Sequence, residues 1–195
     1  MMMMMMTMKR HMLLRAGIPA VLAAWLAGCF GSSAPSTDDL AAVGEFDPKR
    51  YCGLWYEAAR LPHSFERGMT DVSAHYTLRP DGKIAVVNRG IRDGEAREAH
   101  GVARTVRGKE GTGELEVSFF RPFYGKYRII RLAPDYSTAM VTSGDRSYLW
   151  ILTRARHPDP ALLAEWVRSA GALGFEVSKL EYPNAHPSPA ERQRR

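Results

Sequence analysis

The chain has 195 residues and a formal net charge of +6, with 45% hydrophobic and 25% charged residues. These ordinary proportions exclude a wholly disordered chain and a collagen-like chain, and the length fits one domain with extensions. The sequence contains only 2 cysteines, which excludes a disulfide-dense scaffold and a multi-cysteine zinc site.

Residues 1–28 have the pattern of a secretory signal. Lys9, Arg10 and Arg15 form a basic head without acidic residues, and an apolar run follows from Ala16 to Ala27. That run is too short for a membrane-spanning helix, which needs roughly 20 residues. Removal of the signal lowers the net charge from +6 to +3. The remaining basic residues are scattered among acidic ones, so the sequence does not predict nucleic-acid binding.

The signal ends in Leu26-Ala27-Gly28-Cys29, which resembles the bacterial lipobox. The resemblance implies cleavage before Cys29 and attachment of a diacylglycerol to its sulfur, and the acyl chains would then anchor the protein to a membrane. Phe30 follows the cysteine, which is similar to the outer-membrane sorting pattern of enteric bacteria. The sequence therefore predicts a lipid-anchored protein of the bacterial outer membrane that faces the periplasm. Small and polar residues predict a flexible tether over 29–45.

Between Phe46 and Arg154, turn signals such as Arg79-Pro80-Asp81-Gly82 recur about every ten residues. They separate eight segments rich in β-forming residues, which predicts an all-β sandwich or barrel of antiparallel strands. The predicted strands are 54–61, 70–78, 83–91, 95–106, 114–120, 124–132, 137–142 and 147–154.

Alternation within these strands favours a hollow barrel. One face of each of four strands is mostly apolar or aromatic, and an eight-stranded barrel that turns those faces inward can hold one small ligand. The same pattern also fits an interior filled by these side chains. The inward sets are Ala74, Tyr76 and Leu78; Ile84, Val86 and Asn88; Leu115, Val117 and Phe119; and Tyr148, Trp150 and Leu152.

One helix is predicted after the strands. Asp159 can cap it, Pro160 suits its first position, and Leu163, Trp166, Val167 and Ala170 form an apolar stripe for docking outside the sheet. A short strand is expected over Phe175 to Tyr182. A disordered basic tail is expected over 183–195.

Three ordered motifs in these segments resemble those of the lipocalins. Gly53-Leu54-Trp55-Tyr56-Glu57 resembles the G-x-W motif, and Pro134-Asp135-Tyr136 resembles the T-D-Y motif with proline in place of threonine. Arg154 resembles the arginine of the third motif. Finer matches, such as Val87-Asn88-Arg89-Gly90 and Pro122-Phe123-Tyr124-Gly125, resemble the bacterial outer-membrane lipocalins and their animal relative apolipoprotein D.

The resemblance covers about residues 46–182 and implies an eight-stranded antiparallel up-and-down barrel with one C-terminal helix packed outside. It also implies a structural floor at the closed end, in which the arginine lies across the indole of the tryptophan. The residues carried over to that floor are Gly53, Trp55, Asp135, Tyr136 and Arg154. The segment from Pro62 to Gly68 would flank the open mouth, where Phe65 would contact a ligand or lie in a solvated loop.

The resemblance implies a fatty acid or a lysophospholipid as ligand, and an apolar lining suits an acyl chain. Arg128 or Arg131 would pair with a charged head, and the pattern does not determine which of them points inward. No cofactor, metal or catalytic residue is expected, and a homodimer is compatible with the sequence. The predicted ligand-binding residues are Ala74, Tyr76, Val86, Asn88, Val117, Phe119, Tyr127, Met140, Thr142, Tyr148 and Trp150.

Two other classes stay open at this point. A few lipocalins are enzymes with a cavity cysteine, and Cys52 would be the candidate nucleophile here. No histidine or cationic residue that would activate it is adjacent in the sequence, so a small buried hydrophobe is the simpler interpretation. A structural envelope lipoprotein with a filled barrel is the other alternative.

Overall fold

A computed structural model describes residues 34–185. The predicted signal, the lipidation of Cys29, the first residues of the tether and the tail from residue 186 lie outside this range. Between residues 34 and 185, no helix is both long and apolar enough to cross a membrane.

Eight antiparallel strands close into one barrel in which each strand pairs with its neighbours in sequence and β1 pairs with β8. This confirms the predicted fold, with small shifts at the strand ends. The strands are β1 (Gly53–Arg60), β2 (Thr70–Leu78), β3 (Ile84–Arg92), β4 (Glu95–Thr105), β5 (Glu114–Phe120), β6 (Phe123–Leu132), β7 (Thr138–Thr142) and β8 (Leu149–Thr153).

Within residues 34–185, two α-helices accompany the barrel. The short helix α1 (Pro48–Tyr51), which the sequence analysis missed, leads into β1, and Asp47 caps its N-terminus. The predicted helix α2 (Pro160–Ala172) begins after Asp159, whose side chain accepts hydrogen bonds from two backbone N–H groups of the first turn. Trp166 and Ala170 of α2 are buried in an apolar cluster between the helix and the outside of the barrel.

The predicted strand from Phe175 to Tyr182 is wrong. The segment forms a 3₁₀ helix (Val177–Lys179), and Glu181 makes an isolated bridge with Arg60. β1 pairs with β8 along one edge as far as Arg60, and with β2 along the other edge only from Gly53 to Tyr56. Arg60 therefore has backbone groups left for Glu181, but no long edge is free for a ninth strand. Val177 and Leu180 instead pack into the cluster beneath α2.

The prediction of a flexible tether is wrong for residues 34–45, which run along the outside of the barrel. Ser36 makes a backbone bridge with Asp145 at the open end. Closer to the opposite end, the Val43 N–H donates to the Ile129 carbonyl oxygen, and the Val43 carbonyl oxygen accepts from the Gly113 N–H. Thr37 is fully buried. Small polar residues therefore form a strap here because their backbone groups find partners on the strands.

The prediction of a disordered tail over 183–195 is also wrong for its first residues. Asn184 is buried, and its side-chain amide donates hydrogen bonds to the carbonyl oxygens of Glu57 and Val72.

Candidate ligand-binding site

A cavity of about 640 Å³ occupies the barrel interior. It opens at the end formed by the β1–β2, β5–β6 and β7–β8 connections, whereas Trp55 lies at the opposite end. Its inner wall is mainly apolar and aromatic, and residues of the strap and the connections complete the mouth. This space contradicts the alternative of a filled barrel.

The structure brings most of the predicted ligand-binding residues together. They come from five strands and the connection before β8 because alternate residues of each strand point inward. The predicted residues that line the cavity are Ala74, Tyr76, Val86, Asn88, Val117, Phe119, Tyr127, Tyr148 and Trp150.

Met140 and Thr142 do not line the cavity, and their prediction is wrong. Val141 is the residue of β7 that lines the cavity. Met140 packs in the outer cluster, and the Thr142 hydroxyl donates to the Tyr148 carbonyl oxygen. All five residues of β7 are buried because the outer face of this strand is also covered. A strand buried on both faces lacks the alternation that reveals its phase.

Neither Arg128 nor Arg131 faces the cavity, so the predicted charge partner is also wrong. Arg128 points outward beneath the strap, where it donates to the carbonyl oxygens of Thr37 and Leu40. Arg131 lies over the Trp166 ring of α2, with its guanidinium carbon 4.3 Å from the ring centroid.

The closed end is built as the motifs imply. The guanidinium carbon of Arg154 lies 3.9 Å from the Trp55 ring centroid, and the indole N–H of Trp55 donates to the Tyr51 carbonyl oxygen at 2.8 Å. Gly53 has a φ of 102°, and a Cβ there would lie 3.2 Å from Arg154. The glycine of the first motif therefore provides both the backbone conformation and the room for the arginine.

The second motif holds the segment that leads into β1 against this floor. The Tyr136 hydroxyl accepts a hydrogen bond from the Asp47 N–H at 2.9 Å, and the Arg50 guanidinium lies over the Tyr136 ring. Asp135 closes its own turn by accepting from the Ser137 N–H.

Three tyrosine hydroxyls form a chain just above the floor. The Tyr127 oxygen lies 2.7 Å from that of Tyr51 and 3.0 Å from that of Tyr76. Burial raises the pKa of all three hydroxyls, so they remain neutral. The bottom of the cavity is therefore polar but uncharged.

Two carboxyl groups that the sequence analysis missed also line the cavity. Glu57 of β1 and Glu66 of the β1–β2 connection are buried, and Arg60 lies between them. One Arg60 nitrogen lies 3.0 Å from Glu57 and 3.8 Å from Glu66, and the other lies 3.0 Å from Glu181. Glu57 shares the inward phase of Trp55, a signal that was available in the sequence. Glu66 reaches the cavity only through the path of its loop.

This carboxyl–guanidinium cluster fastens the connection 61–69 over the mouth. Arg60 donates to the carbonyl oxygens of Glu66 and Met69. The Glu66 carboxylate lies 2.9 Å from the His63 ring nitrogen and accepts from the indole N–H of Trp150 at 3.2 Å. Phe65 stacks on His63 and lines the cavity. The segment is thus bound to the barrel by buried polar contacts.

Glu57→Gln is expected to become more stable relative to the parent protein as the pH rises above about 4.5. Burial, together with the charge of Glu66, raises the pKa of Glu57 well above its ordinary value of 4.5. The native state therefore keeps a proton that the unfolded chain loses, and rising pH favours unfolding of the parent. Urea unfolding of both proteins between pH 4.5 and 8 measures the difference.

Glu66→Gln is the matched control and should be less stable than the parent protein by an amount that stays constant between pH 4.5 and 8. Burial alone would raise the pKa of Glu66, but contacts with His63 and Arg60 hold it below its ordinary value. That carboxylate stabilises the fold above pH 4.5, and its contribution is lost as the pH falls through its lowered pKa. Parallel pH profiles for the two variants would contradict this assignment.

Cys52 lies beside the floor and is not among the residues that line the cavity. Burial raises the pKa of its thiol, and the nearby Arg154 only partly offsets this effect. A protonated thiol outside the cavity is a poor nucleophile for a ligand within it.

Comparisons with known proteins agree with this architecture. The family model described as a lipocalin-like domain matches residues 46–185. The chain is a lipocalin. It is 42% identical over 164 residues to the outer membrane lipoprotein Blc of Citrobacter freundii, a match that covers 84% of this chain and 92% of that protein.

More distant lipocalins are also similar. Apolipoprotein D of Macaca fascicularis is 36% identical over 125 residues, which cover 57% of this chain and 62% of that protein. The structure of insecticyanin from the tobacco hornworm Manduca sexta superposes with a TM-score of 0.63 at 18% identity, over 78% of this chain and 87% of that chain. This likeness supports the fold alone.

Proposed function

We propose that this lipocalin binds a single-chain lipid, either a fatty acid or a lysophospholipid, with the acyl chain inside the barrel. The observation that carries the proposal is the open-ended cavity of about 640 Å³ with its mainly apolar wall. Such a volume lies within the range of roughly 300–1,000 Å³ that small-molecule sites occupy.

The wall suits an acyl chain because most of the surface above the tyrosine hydroxyls is apolar. Val86, Val117 and Phe119 line it on one side, and Trp150 and Leu152 line it on the other. Each buried methylene contributes ~0.8 kcal/mol, so a long chain outweighs the cost of association.

Polar groups within the cavity give a ligand head places to bind. The side-chain oxygen of Asn88 is buried and accepts no hydrogen bond from residues 34–185. The carboxyl groups of Glu57 and Glu66 lie on the wall, and Lys126 and Asp145 lie at the mouth. The wall carries the ionised carboxylate of Glu66 and no arginine, which disfavours a free carboxylate deep in the cavity. We therefore propose that the head group of the lipid lies toward the mouth.

The proposal includes a lipid anchor on Cys29 at the bacterial outer membrane, with the barrel on the periplasmic side. It rests on the Leu26-Ala27-Gly28-Cys29 motif and on the similarity to proteins named outer membrane lipoproteins. In that position the protein would store, scavenge or return lipids released within the envelope.

Ala103→Trp is expected to weaken binding of a fluorescent fatty acid roughly tenfold. Ala103 of β4 is buried and lines the cavity, so the indole would displace an acyl segment. Loss of contacts with about two methylenes, at ~0.8 kcal/mol each, corresponds to that factor. Titration of delipidated protein, followed by quenching of Trp150, measures the affinity.

Ala85→Trp on the outer face of β3 is the matched control and should bind like the parent protein. The parent should take up the probe at one site, and native mass spectrometry should show a single-chain lipid that copurifies. Failure of the parent to bind any fatty acid or lysophospholipid would overturn the proposed function.

A further inference from the structure

Two aromatic rings project from the rim of the cavity into solvent. Phe120 ends β5 and Phe123 begins β6, and the side chains are each 49% exposed. Their rings are stacked with centroids 6.3 Å apart, and both residues also line the mouth. The exposed Arg121 and Pro122 lie between them. We call residues 120–123 the aromatic tip.

The N-terminal strap begins at the same rim. Ala34 and Ser36 line the mouth, and the Arg146 N–H donates to the Pro35 carbonyl oxygen at 2.9 Å. From there the strap runs to the closed end, where the Phe46 N–H donates to the Gly111 carbonyl oxygen in the β4–β5 connection. The chain therefore leaves the described part of the protein at the open end of the barrel.

The distance from this exit to the predicted anchor is short. Cys29 precedes Ala34 by five residues. A chain extends at most ~3.6 Å per residue, so Ala34 at the rim lies within roughly 18 Å of the Cα of Cys29, the residue proposed to carry the lipid. The closed end is farther along the chain from the anchor, because the strap runs down the outside of the barrel from Ala34 before it reaches Phe46.

We propose that the open mouth faces the membrane and that the aromatic tip inserts into the phospholipid surface beside it. The inference rests on the proposed lipid anchor at Cys29. Half-exposed aromatic rings favour the boundary between head groups and acyl chains, and the adjacent Arg121 suits the phosphates at the same level. A single-chain lipid would then pass between bilayer and cavity without crossing bulk water.

The closed end lacks these features. Leu54 is 40% exposed there, but it lies beside the floor motifs and far from the exit of the strap. The remaining large exposed apolar side chains of residues 34–185 are Leu162 on α2 and Tyr182 after β8. Leu162 is far from the rim. Tyr182 is near it, because Glu181 bridges Arg60 at the end of β1 and the Pro183 carbonyl oxygen accepts from the Asp71 N–H at the start of β2, but Tyr182 does not line the mouth. The aromatic tip is therefore the exposed apolar surface on the mouth itself that a mouth-down orientation would bring to the lipid.

Tryptophan reporters test the orientation in the full-length protein after the cell has processed and acylated it. Phe120→Trp and Phe123→Trp place a reporter in the tip, and Leu54→Trp places the matched reporter at the closed end. Each protein is reconstituted into phosphatidylcholine vesicles with or without lipids brominated on the acyl chains, and the emission of the parent is subtracted. The tip reporters should lose most of their added fluorescence to bromine, whereas the Leu54→Trp reporter should keep it.

Quenching of Leu54→Trp equal to that of the tip, or no quenching at either end, would overturn the docking proposal. The intact mass of the purified protein reports the acyl groups, and a chain without lipid on Cys29 overturns both the anchor and the docking. Uptake of fluorescent fatty acid by the same samples reports the proposed cavity function separately. A protein that binds lipid but shows no tip quenching therefore refutes only the orientation.

Discussion

Arg154→Ala is expected to destabilise the barrel by about 3–5 kcal/mol, because its guanidinium joins residues 50–55 and the connection before β7 to the end of β8. It covers the fully buried Trp55 ring and donates hydrogen bonds to five carbonyl oxygens. These oxygens belong to Arg50, Tyr51, Cys52, Leu54 and Tyr136, at 2.8–3.2 Å. Urea unfolding followed by far-UV circular dichroism measures the loss.

A second arginine–tryptophan pair provides the control for this variant. Arg131 lies over Trp166 and pairs with the exposed Glu165 at 2.7 Å. Unlike Arg154, it does not donate a set of hydrogen bonds to backbone carbonyl oxygens of residues 34–185. Arg131→Ala should cost less than about 1 kcal/mol. A double-mutant cycle with Trp55→Ala should give a coupling of about 1–2 kcal/mol for the ring contact. Equal losses for the two arginines would show that the closed end has no special role.

Arg60→Met is expected to cost about 3–5 kcal/mol at neutral pH and to release residues 61–69 from the mouth. Arg60 is 1% exposed and is shared by the carboxyl groups of Glu57, Glu66 and Glu181. Its removal takes the guanidinium away from the buried, ionised Glu66 carboxylate, and breaking a buried ion pair from one side is strongly destabilising. Unfolding in urea measures the stability, and the rate of tryptic cleavage at Arg67 measures release of the segment.

The pH dependence and a matched arginine distinguish this charge effect from loss of packing. Acidification protonates the carboxyl groups, so the cost of Arg60→Met should shrink as the pH falls toward 4. Adding Glu57→Gln and Glu66→Gln to the same protein should restore part of the stability. Arg89→Met, which breaks the exposed pair with Glu98 at 2.6 Å, should change stability by less than about 1 kcal/mol. A cost that does not vary with pH would contradict the electrostatic explanation.

Strands with one covered and one solvated face were predictable in both position and phase. Tyr76, Val86 and Val117 point inward as alternation indicated, because polar neighbours mark the outer face of each strand. The same reasoning failed for Met140 and Thr142, whose strand is covered on both faces. Glu57 was only partly predictable. Its inward direction follows from that of Trp55 two residues earlier, but an acidic residue is not an obvious candidate for the lining of an apolar cavity.

The sequence by itself determined the barrel, its closed end and most of the inner wall. Alternation, turn residues and the three motifs are local signals, and each is encoded within a few consecutive positions. The carboxyl–guanidinium cluster, the strap and the rim depend on contacts between distant segments, such as Arg60 with Glu181 and Ser36 with Asp145. Only closure of the barrel brings these segments together, because no periodicity along the chain records which loops meet at one end of a closed sheet.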